Sequence, residues 1–113
     1  MLESNDQQLA QRLQAGDEAA LTEILTRYQK PVLNFVYRLL GNAADAEDVA
    51  QETFVRAYQH IRRYTPREKF STWLFAIARH AALDKLRYRK RHPTESLDSA
   101  VAARTEQIGR AHV

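Results

Sequence analysis

Cysteine does not occur in this chain, which excludes a disulfide framework, a thiolate nucleophile and thiolate metal ligation, and suits a reducing compartment. Glycine and proline are scarce, three of each, so long stretches contain no helix breaker. Long apolar runs are missing too: charged residues interrupt every helix-length window, which argues against a membrane span, and no basic-then-apolar leader opens the sequence. The expectation is a soluble cytoplasmic protein without a membrane partner. Its 113 residues suffice for one domain with a modest core and are too few for two.

Charge is present in quantity and is unevenly placed. The net charge is only +3, yet ten of the 17 basic residues lie between Arg62 and Arg91, against two acids, Glu68 and Asp84. That segment carries +8 and the remainder −5. Such a polarity favours a polyanion on one part of the molecule and disfavours it on the rest.

Apolar residues recur every three or four positions throughout, and no alternating strand pattern competes. The spacing predicts a helix near 5–15 stopped at Gly16, with Asp17 capping the next. That second stretch, about 18–40, turns Leu21, Ile24, Leu25, Tyr28, Val32, Phe35, Val36 and Leu39 inward, with a kink or break expected at Pro31. Gly41 and Asn42 end it, and Asn42 or Asp45 caps a third helix running to about 63. Pro66 disfavours helical geometry at Thr65, so 64–69 is a loop. A fourth helix near 70–90 aligns Phe70, Trp73, Leu74, Ile77, Ala78 and Ala81. From Pro93 onward the chain is polar and aperiodic apart from a weak helical pattern after Ser96, and 93–113 is read as a linker or tail.

Catalytic chemistry finds little footing. The histidines His60, His80, His92 and His112 have neither HExxH spacing nor the acid three residues earlier that bundle metal sites use. Asp45, Glu47, Asp48 and Glu52 form a carboxylate cluster without a nitrogen ligand, better explained by a helix N-terminus than by a metal. No glycine-rich phosphate loop occurs.

Two surfaces carry more information. On the third helix Ala46, Val49, Ala50, Thr53, Ala57, Ile61 and Tyr64 share one face, with Phe54 at its edge, while Asp48, Gln51, Glu52, Val55, Gln59 and Arg62 lie opposite. Taken alone, that outer face is most simply a solvated acidic surface with one stray valine; a protein-docking surface is the alternative. In the basic segment, Tyr64, Phe70, Trp73, Phe75 and Tyr88 interleave with the cations. Phe75 lies off the apolar stripe, one turn before Arg79, and either packs on a neighbouring helix or joins Arg79 in holding an unstacked base. His80 borders that surface, and Lys85, Arg87, Arg89, Lys90 and Arg91 have the character of phosphate contacts.

The order of these blocks adds a resemblance. A helical pair ending in Leu40-Gly-Asn42, then Asp45-Ala-Glu-Asp-Val-Ala-Gln-Glu-Thr-Phe54, a basic loop, and Phe70-Ser-Thr-Trp-Leu-Phe-Ala-Ile-Ala-Arg-His-Ala-Ala-Leu-Asp-Lys-Leu-Arg87 together resemble region two of bacterial sigma factors. Gln14-Ala-Gly-Asp17 near the start is similar to the extracytoplasmic-function group, and the likeness covers residues 6–92. It implies an all-α, region-two-type bundle of four to five helices in 1–92 and a linker or tail in 93–113. It further implies a non-enzymatic transcription subunit without cofactor or metal. Its polymerase contact, on the β′ clamp helices of core RNA polymerase, falls on Asp48, Gln51, Glu52 and Val55, which turns the balance on that face towards docking. Reading and melting of the promoter minus-ten element as single-stranded non-template DNA falls on the loop, including Tyr64, Thr65, Arg67 and Lys69, and on Phe75, Arg79 and His80. The resemblance also implies an anti-sigma factor as a partner and a second promoter-reading domain that this chain lacks, so the chain is read as a fragment. The alternatives are a helical module bound mainly by an anti-sigma regulator and a small duplex-DNA repressor; interleaved aromatics favour single strands over the latter.

Overall fold

The computed structural model describes residues 5–93, and among them the secondary structure is helical. Four α-helices follow one another: α1 Asp6–Gln14, α2 Glu18–Leu40, α3 Ala43–His60 and α4 Phe70–Arg91, with a 3₁₀ turn at Ile61–Arg63. The linker expected over 93–113, the weak helix after Ser96 and His112 lie outside the described residues, except for Pro93. The chain divides into two compact units, one ending at Leu83 and the other beginning at Asp84.

Local chemistry explains where each helix starts and stops. Asn5 and Gln8 form a reciprocal capping box, the Asn5 side chain accepting from the Gln8 N–H at 2.8 Å and the Gln8 side chain from the Asn5 N–H at 2.9 Å. Asp17 caps α2 by accepting from the Ala19 N–H. Between the two expected caps of α3 the structure selects Asn42, which accepts from the Asp45 N–H at 2.9 Å. Gly41 ends α2 at φ 70°, a left-handed conformation that a side chain would strain. The third helix gives way to the 3₁₀ turn after His60, a tightening that extends the apolar face through Ile61 to Tyr64.

Of the kink or break expected at Pro31, the break does not occur: α2 is continuous for 23 residues with Pro31 inside it. Proline removes one donor, whereas Ile24, Val32, Val36 and Leu40 on either side are buried, and packing of those side chains holds the helix across the lost bond. Leu39 is a second correction, for it is 38 % exposed while Leu40 is buried. Leu40 sits four residues beyond Val36 and continues the Val32–Val36 row, which leaves Leu39 turned away.

The core of the first unit draws on every helix. Leu9 and Leu13, then Ile24, Val32 and Val36, then Val49, Phe54 and Ile61, then Phe70 and Leu74 are buried, interleaved with many alanines that let the helices approach closely. Full burial of each larger side chain contributes about 1.5–3 kcal/mol before entropy is counted. Thr53, fully buried, donates its hydroxyl to the Val49 carbonyl at 2.8 Å, and no buried polar side-chain atom among the described residues lacks a partner. Polar ties bind α1 to α2: Arg12 reaches Asp17 and Glu23, each at 2.9 Å, and Arg27 reaches Asp6 at 3.0 Å. Tyr28 also donates to Asp6, and its hydroxyl is pushed up to about 12, first by burial and then by that bond.

Candidate functional site

The third helix presents the two faces its sequence periodicity anticipates. Ala46, Val49, Ala50, Thr53, Phe54 and Ala57 are buried, while Asp48, Gln51, Glu52, Val55, Gln59 and Arg62 are exposed. Val55 is 50 % exposed in the middle of this outer face. Glu52 accepts from Arg56 at 2.9 Å one turn along, an exposed i,i+4 pair of modest strength that holds the carboxylate on the helix surface.

Two features here were missed from the sequence. Tyr58 is 46 % exposed, so Val55 has a large aromatic neighbour three residues on. Asp48, Gln51, Val55, Tyr58 and Arg62 then follow one another at alternating steps of three and four, the spacing with which one helix meets another. This period is legible in the sequence, whereas the exposure of Tyr58 is not, because an aromatic at helical spacing is more often buried. The second feature is a cleft of about 390 Å³ between α2 and α3, lined by Leu25, Gln29, Leu33, Glu47, Ala50, Gln51 and Phe54. It depends on which face of α2 meets α3, which no local pattern specifies.

In the loop after the 3₁₀ turn, Thr65, Arg67 and Lys69 are exposed, and Arg67 and Lys69 carry positive charge outward. Tyr64 lies on the inner face that the third helix's periodicity gives it, and not at the surface as the resemblance implies. It is 4 % exposed, its ring lying 5.7 Å from Phe70 and 5.4 Å from Trp73, and its hydroxyl donates to the Glu68 carbonyl at 2.6 Å. Burial, followed by the charges of Glu68 and Asp6, raises its ionisation range. Tyr64 is an inner anchor of the loop and its ring is not offered to a base. A second bond, from the Glu68 N–H to the Thr65 carbonyl at 3.3 Å, closes the loop on itself.

Of the two alternatives left open for Phe75, packing on a neighbouring helix is the one observed. Its ring is half-buried and meets Phe35 edge-on at 5.2 Å and Tyr28 at 6.2 Å, so it packs on α2. Arg79 and His80, on the next turn of α4, are exposed. The loop and α4 within the first unit thus show cations and one imidazole at the surface, with their aromatic rings turned to packing.

The second unit carries the basic run. Arg87, Lys90 and Arg91 are exposed, Lys85 and Arg89 half-buried. Arg87 pairs with Asp84 at 3.1 Å, Lys85 lies 5.9 Å from the Tyr88 ring centre, and Tyr88 stacks on His92 at 4.2 Å. Among the described residues no three or more His, Asp or Glu side chains converge as a metal site, and no helix is long and apolar enough to cross a membrane.

Comparison with known proteins matches residues 24–92 to the Sigma-70 region 2 family. The ECF RNA polymerase sigma factor SigW of Bacillus subtilis is 41 % identical over 91 residues, covering 80 % of this chain and 48 % of SigW. The RNA polymerase sigma-H factor of Pseudomonas aeruginosa is 36 % identical over 96 residues, covering 85 % of this chain and 50 % of that protein. The chain therefore spans about half the length of these curated relatives. Among solved structures, an engineered region 2 of sigmaE in complex with GTAAAA, determined by NMR, superposes with a TM-score of 0.75 at 38 % identity, covering 81 % of this chain and 97 % of that one.

Proposed function

Because the chain belongs to the Sigma-70 region 2 family, with extracytoplasmic-function sigma factors among its relatives, we propose that it serves transcription initiation by docking on core RNA polymerase and reading the promoter minus-ten element as a single non-template strand. The observation that carries this reading is the close likeness, at 38 % identity, to a region 2 held with GTAAAA. Docking is assigned to the outer face of α3: Asp48, Gln51, Glu52 and Val55, joined by Tyr58 and bordered by the α2–α3 cleft. Carboxylates and carboxamides around two apolar side chains suit a basic helix of the polymerase clamp. Strand reading is assigned to Thr65, Arg67, Lys69, Arg79 and His80, which are exposed, with Tyr64 and Phe75 serving from beneath. Lys85, Arg87, Arg89, Lys90 and Arg91 add phosphate contacts that position a strand without reading it. In this reading the chain makes and breaks no covalent bond, acts in the cytoplasm, and leaves nucleotide chemistry to the polymerase. A regulatory protein of the anti-sigma kind would compete for the α3 face.

A pull-down with core polymerase tests the docking assignment. Asp48→Arg and Glu52→Arg place a cation against a basic partner, leave Val49 and Ala57 untouched, and are expected to abolish most of the binding while circular dichroism stays unchanged. Folded variants that bind core polymerase as tightly as the unsubstituted chain would refute the assignment.

A further inference from the structure

The end of α1 does something its own helix does not require. We propose that Gln14 is a positioning residue for the strand-reading loop, its carboxamide holding the carbonyls of Ile61 and Tyr64 so that Thr65, Arg67 and Lys69 meet a single strand from a loop already ordered. The inference rests on the proposed function and concerns a residue outside 24–92, the stretch matched to the family.

The Gln14 Nε2 donates to the Ile61 carbonyl at 2.9 Å and to the Tyr64 carbonyl at 2.8 Å. A carboxamide nitrogen has two hydrogens, and both are directed across 47 and 50 residues of sequence to the segment that enters the loop. Nothing about α1 calls for this. Its carbonyls at Gln11, Arg12 and Leu13 are met by the backbone N–H groups of Ala15, Gly16 and Asp17, and its apolar packing comes from Leu9, Ala10 and Leu13. Gly16, at φ 96°, and the Arg12–Asp17 pair shape the turn that follows Gln14. The Ile61 carbonyl also accepts the Tyr64 N–H at 3.1 Å, so one oxygen ties the 3₁₀ turn both to itself and to α1.

Three restraints therefore act on a short loop. Gln14 fixes its entry from outside, the Tyr64 ring lies against Phe70 and Trp73 from inside, and the Tyr64 hydroxyl spans to the Glu68 carbonyl. A loop held in this way loses little freedom when a strand binds, so the ordering cost that would otherwise weaken binding is already met in folding. Sequence preference should depend on this order more than overall attraction does, because phosphate attraction tolerates a mobile loop and base reading does not.

The experiment compares the full chain with Gln14→Glu and Gln14→Asn by fluorescence anisotropy on single-stranded GTAAAA and on a shuffled strand of the same composition, at one ionic strength. Glu is the same size but turns an acceptor towards two carbonyl oxygens; Asn keeps the chemistry and loses the reach. Loss of two neutral hydrogen bonds predicts roughly a three- to tenfold fall in affinity for GTAAAA, with little change on the shuffled strand. Core-polymerase binding through α3 should be unchanged, and amide exchange should quicken at Arg67–Lys69 but not at Ile24 or Leu74, a pattern that general destabilisation would not produce. Folded variants that keep the full preference for GTAAAA, or whose loop exchange does not change, overturn the role of Gln14 alone. If the unsubstituted chain shows no preference for GTAAAA, the proposed strand-reading function fails, and the loop has no reading role to position.

Discussion

Val55 and Tyr58 are the large apolar side chains that α3 leaves half exposed, and the proposed docking on core polymerase would give each a use that a solvated helix does not. Aromatic anchors contribute disproportionately to interfaces, so Tyr58→Ala is expected to weaken core-polymerase binding by about 1–2 kcal/mol, near tenfold, with unaltered thermal stability. Surface plasmon resonance against immobilised core enzyme measures it, and an unchanged Kd would remove Tyr58 from the docking face. Phe75 presents the opposite case. Packed between Phe35 and Tyr28, it should cost about 2–4 kcal/mol of folding stability when replaced by Ala and much less when replaced by Leu. Urea denaturation separates the two, and a Phe75→Ala protein as stable as its parent would return that ring to the candidate base contacts.

At the scale of elements, α2 is the instructive helix because it runs unbroken through a proline that its sequence suggests should kink or break it. Pro31 is exposed, so Pro31→Ala should restore a donor and stabilise the chain by about 1–3 kcal/mol. An unchanged or lowered urea midpoint would mean that a local bend at this position matters to packing. The caps at Asp17 and Gly41 were legible, and Asn42 was one of two candidates, since each acts through bonds to residues two to four positions away. The fate of Pro31 was not, because the restoring force comes from side chains on other helices.

For the molecule as a whole, charge placement governs the response to salt and acid. Arg89→Ala with Lys90→Ala should lower affinity similarly for all single strands and flatten the dependence on salt, each lost phosphate contact reducing counterion release by roughly 0.7 of a charge. Titrations over a salt series show whether the slope changes. The Asp17 carboxyl is held below its ordinary range, chiefly by its hydrogen bond from Arg12. Its stabilising share is therefore complete above about pH 4 and is lost as pH falls through the lower folded value. Asp17→Asn, which keeps a capping oxygen, should give a shallower loss of stability below about pH 4, measured by circular dichroism; an acid limb as steep as the parent's would assign that loss to other carboxylates. Sequence by itself determined the helical class, the boundaries of each helix to within a few residues, and both faces of α3, because capping and the 3.6-residue period act within one or two turns. Through its motif order it also carried the resemblance now met in the family match. Tertiary structure alone decided that Phe75 packs on α2, that a cleft opens between α2 and α3, and that Gln14 bonds to the loop entry. Those outcomes depend on residues tens of positions apart being brought together by burial of shared apolar faces, and such pairings leave no periodic trace in the chain.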